Sequence, residues 1–123
     1  WGLLPMTAGV TEPTFDADGY PTKETELAIV NWPVPDVAGV LDFIAEAWHW
    51  PDFGVSFVLL PAELDLVHGD EGDKYLRLAT GGWSGNEGLI AALEKNMNWL
   101  FSWRLSARGG LHIFKYPDQH GTI

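Results

Sequence analysis

The sequence predicts an α+β fold: an antiparallel four-stranded sheet with helices packed on one face, in the order α-α-β-β-α-β-β. Three observations lead there. Two segments of helical apolar period stand early in the chain, each followed by prolines. Short runs rich in Val, Phe, Tyr and Leu recur at 55–60, 75–80 and 111–116. Between them, Ser84 is followed three residues later by Glu87, the spacing of a capping box that opens a third helix.

Residues 1–21 hold Gly2, Pro5, Gly9, Pro13, Gly19 and Pro21, a density of breakers that reads as an extended or mobile N-terminal arm. Trp1, Leu3, Leu4 and Phe15 are available to pin it. Residues 22–123 read as one α+β domain. Thr22 caps a first helix reaching Trp32, with Glu24 and Glu26 near its positive end and Leu27 and Val30 on one face. Pro33 and Pro35 stop it. Asp36 caps a second helix over 37–49, where Val40, Leu41, Ile44 and Trp48 recur at helical spacing, and Pro51 ends it.

Val55 to Leu60 reads as a strand. An acidic connection through Asp65, Asp70, Glu71 and Asp73 leads to a second strand, Tyr75 to Thr80. Leu76 and Leu78 share one side of it, Tyr75 and Arg77 the other. The third helix runs from about Gly85 to Asn96, with Leu89, Ile90, Leu93 and Met97 on its apolar face. Trp99–Leu105 and Leu111–Tyr116 form a hairpin around Ala107–Gly110. Leu105 opposite Leu111 would put Arg104 opposite His112 and Trp103 opposite Ile113. The core face then carries Trp99, Phe101, Trp103, Leu105, Leu111 and Ile113. The mixed face carries Ser102, Arg104, Ser106, His112, Phe114 and Tyr116.

Composition narrows the function classes. The chain has 123 residues, 46% of them hydrophobic, enough for a real core in a single domain. No apolar run approaches the roughly 18 residues of a membrane span, and no leader sequence is evident behind Trp1. Absence of cysteine removes disulfides and thiol chemistry, and a cytoplasmic protein fits. The formal charge is −10 and uneven. Residues 1–73 carry 14 Asp/Glu and one Lys, whereas residues 74–123 carry three Asp/Glu and six Lys/Arg. Such a chain is repelled by phosphate backbones, which disfavours nucleic acid and suits a basic partner or simple solubility.

The runs Trp48-His49-Trp50-Pro51-Asp52-Phe53-Gly54 and Thr80-Gly81-Gly82-Trp83-Ser84-Gly85-Asn86-Glu87 stand before Trp99, Trp103, Ser106, Arg108, Gly109 and Gly110. In these motifs the chain resembles a group of small uncharacterised proteins encoded on phages and other mobile elements. The resemblance covers roughly residues 36–116. It implies an accessory protein of a mobile element and no mechanism.

Several residues are candidates for a site. Gly81, Gly82, Trp83, Ser84, Gly85 and Asn86 form a glycine-rich turn into a helix, where unpaired N–H groups attract anions. No Lys follows the glycines, so this is no P-loop. Arg77, Arg104, Arg108 and His112 would form a basic cluster for a nucleotide-like ligand if the strands pair as expected. The plainer alternatives are a structural cap and ion pairing with the acidic half. Trp48, Trp99 and Trp103 fall on core faces, while Trp50 and Trp83 fit exposed interaction positions.

Asp16-Ala17-Asp18-Gly19-Tyr20 resembles half a calcium loop but lacks its outer ligands. The four His residues show no metal spacing, and Ser84 lacks the second glycine of a nucleophile elbow. No metal or cofactor is expected. The expected function is a non-enzymatic interaction module, homo-oligomeric with a dimer favoured, that acts on an unidentified protein partner. The alternative is an anion-binding domain with enzymatic potential.

Overall fold

A computed structural model describes residues 12–49, 51–59 and 74–117. Trp50 and the acidic run 60–73 therefore lie outside the described residues, as do the arm residues 1–11. The element order is α1 (Lys23–Val30), α2 (Val37–Ala47), α3 (Pro51–Gly54), β1 (Val55–Val58), β2 (Tyr75–Ala79), α4 (Ser84–Glu94), α5 (Asn98–Ser102), β3 (Trp103–Ala107) and β4 (Leu111–Lys115). The four strands form one antiparallel sheet in the spatial order β1-β2-β4-β3. Helices α1, α2 and α4 cover one face of it. Ala28 and Ile29, then Val37, Val40, Leu41, Phe43, Ile44 and Ala47, then Leu89, Ile90 and Leu93 close over Leu76, Leu78 and Phe114.

The N-caps of the first two helices fall where the sequence places them. Thr22 Oγ1 accepts from Thr25 N at 3.3 Å, and Asp36 Oδ1 accepts from Gly39 N at 3.2 Å. The buried side of α1 differs from expectation: Thr25, Ala28 and Ile29 face inward, and Leu27 is exposed. Helix α2 ends at Ala47 because Trp48 turns extended, so that its Nε1 donates to Ala79 O at 2.9 Å. Pro51 does not end that helix. It opens α3, where a missing N–H costs nothing.

Residues 12–21 fold back rather than extend. Asp16 Oδ1 accepts from Asp18 N at 2.9 Å and from Tyr20 N at 3.0 Å, so its carboxylate closes a local turn. Thr14 N donates to Thr25 Oγ1 at 2.8 Å, which pins this turn to α1.

The largest differences lie after α4. Residues 98–102 are helical, not strand. Buried Asn96 explains this: its Oδ1 accepts from Asn98 N at 2.8 Å and starts a new turn. Its Nδ2 reaches Ile29 O, Val30 O and Trp32 O at 2.9–3.1 Å, which no local rule foresees. The hairpin loop is also shorter than expected. Ala107 pairs with Leu111, Ser106 with His112 and Leu105 with Ile113, so Ser106 and not Arg104 stands opposite His112.

A bulge at Arg104 then brings Trp103 opposite Phe114. Leu105, Leu111 and Ile113 do share a face, with Tyr75, but it is the face away from the helices. Phe114, expected on the mixed face, is fully buried in the main core. Trp103 is 39% exposed, and Met97 is exposed as well.

These placements set an order of stabilities. Phe114→Ala is expected to cost about 3–5 kcal/mol through lost burial and a residual cavity, and Trp103→Ala under about 2 kcal/mol. Urea unfolding midpoints of the two variants check this, and the reverse order would mean that Phe114 and Trp103 had exchanged core and surface.

Candidate functional site

Two features dominate the end of the sheet where β2 runs into α4. The first is a polar joint. Asn86, fully buried in the first turn of α4, accepts from His49 N at 2.8 Å through Oδ1. Its Nδ2 donates to His49 O at 3.1 Å and to Thr80 O at 3.2 Å. All three of these hydrogen bonds are spent on backbone.

Buried Thr80 extends the joint to the hairpin. Its N donates to Gly110 O at 3.0 Å, and its Oγ1 accepts from Gly82 N at 3.2 Å. Gly81, Gly82, Gly109 and Gly110 all have positive φ, between 66° and 88°. At Gly110 a side chain would also collide with Thr80 Oγ1.

The anion-site residues are therefore brought together in one turn at the start of α4. Trp83 is the N-cap of α4 and Ser84 its first helical residue, and no side chain caps this end. Ser84 is thus not the expected cap. The Trp83 ring lies across Gly85, where a Cβ would strike the indole. That ring also stacks on His49, with centroids 4.4 Å apart, and tilts against Tyr20 at 4.8 Å. Indole and Glu87 carboxylate together shield the helix start, which opposes an approaching anion.

The expected basic cluster is divided by the sheet. Arg77 pairs with Ile113 while His112 pairs with Leu78, and neighbouring positions on a strand point to opposite faces. Arg104 is the bulge residue, donating from Nη1 to its neighbour Trp103 O at 2.9 Å. Arg108 sits exposed in the hairpin turn.

The second feature is on the helix-covered face at the β3 edge. Ser106 Oγ and His112 Nδ1 are 2.7 Å apart across the β3–β4 ladder. Trp103 Nε1 donates to the same Ser106 Oγ at 2.8 Å. Trp99 meets His112 edge-on at 6.4 Å and stacks on Trp103 at 5.8 Å. Burial pulls the His112 pKa below the ordinary histidine value, and the charges of Glu94 and Glu87 on α4 oppose that shift. Beyond this group, Met97, Leu100, Phe101 and Trp103 expose an apolar strip along α5 and the start of β3, with Leu100 71% exposed.

Ser106 and His112 both stood on the mixed face in the sequence, but their pairing depends on the loop length. The glycine pair before Leu111 was the local signal for the shorter loop. Nothing local foretold the exposed side of α5, because the alternation of Phe101-Ser102-Trp103-Arg104-Leu105-Ser106 reads as a strand that begins inside it. Among the described residues no group of three or more His, Asp or Glu is placed to hold a metal. No described helix is long and apolar enough to cross a membrane. Comparison with protein-family models, with curated proteins and with solved structures gave no match, so the residues themselves carry the functional reading.

Two outcomes follow for the joint and the histidine. Asn86→Ala is expected to cost at least about 2 kcal/mol, since it orphans backbone groups at His49 and Thr80. Ser84→Ala should stay within about 0.5 kcal/mol. Thermal unfolding of the two variants distinguishes them.

For His112, the folded pKa lies below the unfolded value of 6.5. Its contribution to stability is therefore complete above about pH 6.5 and is lost as pH falls through the folded pKa. An NMR titration of the His112 ring should show the lowered value, and Glu94→Gln should lower it further.

Proposed function

We propose that this protein is an interaction module that self-associates through the outer side of α5 and the β3 edge. The observation that carries the reading is the contiguous exposure of Met97, Leu100, Phe101 and Trp103. Met, Phe and Trp are the residue types enriched at protein interfaces, and Trp with Arg dominates their binding energy. Scattered exposed apolar residues need no explanation, but four within seven positions form a patch.

A second copy of the chain is the partner that the charges suit. Helix α5 packs against α2, on which Asp42 and Glu46 are exposed, and runs directly into β3, which carries Arg104. A two-fold axis through α5 would bring the acidic border of one copy towards the basic border of the other, the self-complementarity an isologous dimer needs. The bulge at Arg104 breaks the β3 edge, so side chains rather than strand addition supply the contact.

The resemblance of the Thr80–Glu87 run to proteins of phages and other mobile elements supports an accessory role in such an element, with a host protein as a further partner. The anion-binding alternative is weakened by the Trp83 ring and the Glu87 carboxylate at the start of α4.

Native mass spectrometry tests the proposal. The wild-type chain is expected as a dimer, and Leu100→Asp combined with Phe101→Asp as a folded monomer. A monomeric wild type, or a dimer that survives both substitutions, would remove this reading.

A further inference from the structure

The hydrogen bonds around Ser106 have a consequence that does not depend on self-association. Trp103 Nε1–H can only donate, so Ser106 Oγ receives that bond with one lone pair. Its own proton is left for His112 Nδ1, 2.7 Å away. In the neutral Nε2–H tautomer His112 accepts it. The half-buried, lowered-pKa environment of the ring keeps this neutral form populated near pH 7. The hydroxyl therefore has a base for its proton and a donor that fixes its orientation. The charges of Glu94 and Glu87 on α4 favour the imidazolium that forms when the proton moves. Nucleophile, base, donor and counter-charge converge on one exposed residue, from β3, β4 and α4.

We propose that Ser106 is an activated nucleophile towards small carboxylic esters, with His112 as its general base. The ordinary alternative, a cross-strand hydrogen bond with no chemistry, predicts a hydroxyl no more reactive than any other surface serine. In the first step Ser106 Oγ bonds to the ester carbonyl carbon, and its proton passes to His112 Nδ1. The bond from that carbon to the alkoxy oxygen then breaks, and His112 returns the proton to the departing alcohol. In the second step water attacks the acyl-serine and gives its proton to His112. The bond from the acyl carbon to Ser106 Oγ breaks, and the proton goes back to Ser106.

One ester and one water thus become one acid and one alcohol. Trp103 Nε1–H orients Ser106 Oγ during attack and supports that oxygen as the leaving group when the acyl–Oγ bond breaks. The Trp103 indole borders the hydroxyl and the Trp99 indole lies against both Trp103 and His112, so an aromatic or apolar acyl group is the substrate class that fits.

The test uses the full chain and an aryl fluorophosphonate, which phosphonylates activated serines with loss of fluoride. Intact mass should show one adduct, and peptide mapping should place it on Ser106. His112→Gln should slow labelling at least about 100-fold, the usual contribution of a positioned general base. Trp103→Phe should slow it less. Phenyl acetate hydrolysis should be lost in Ser106→Ala, whose exposed position keeps the fold intact by circular dichroism. No adduct on the wild type, an adduct mapped to another residue, or labelling of His112→Gln at the wild-type rate would each overturn the proposal. Mapping on the unaltered chain decides the site even if a variant fails to fold.

Discussion

The buried amide of Asn86 is the contact on which this fold depends where α2, β2 and α4 meet. It sits where three pieces of backbone must meet: the exit of α2 at His49, the exit of β2 at Thr80 and the first turn of α4. Each brings polar groups out of regular structure and away from water. A buried unpaired amide or carbonyl costs about as much as a hydrogen bond contributes, or more. One side chain with two donors and an acceptor settles three of them at once. With Thr80 tied to Gly110, the same joint fixes where the β3–β4 turn lies relative to α4. The glycines around it are a requirement of that convergence. Their positive φ values form the two turns, and at Gly110 a side chain would also collide with Thr80 Oγ1.

Beyond the other end of α4, Asn96 does the corresponding work. Its amide nitrogen donates to the last carbonyls of α1 and to the turn after it, while its oxygen starts α5. Asn98 continues the pattern by donating to Pro33 O at 3.1 Å, and Ser102 Oγ donates to Asn98 O at 2.7 Å. Helix α4 is thus clamped by buried asparagines at its start and just past its end. Helix α5 is held by its polar side, so its apolar side turns outward. The exposed strip of Leu100 and Phe101 follows from how the inward side is satisfied. Surface chemistry and interior hydrogen bonding are here one constraint.

The same geometry relates the two functional proposals. Trp103 belongs to the apolar strip and also donates to Ser106, because the bulge at Arg104 rotates it onto the face of His112. Without the bulge it would lie with Leu105 and Ile113 on the opposite face.

The sequence by itself determined the α+β class, both early helices with their Thr22 and Asp36 caps, the strands at 55–58 and 75–79, and Trp48 and the leucines of β2 as core. These depend on neighbours within one turn or on alternation along one strand, so a local pattern encodes them. Tertiary structure alone decided that residues 98–102 are a helix, that Phe114 is core, and that Trp103 is not. It also decided that Arg77 and His112 lie on opposite faces, and that Ser106 meets His112. Each of these turns on a partner far away in the chain, or on a shift of register that moves every pairing at once. Asn86 and Asn96 show the physical reason most plainly. In the sequence they are two ordinary polar residues of a helical segment, and only the backbone ends packed around them make them indispensable.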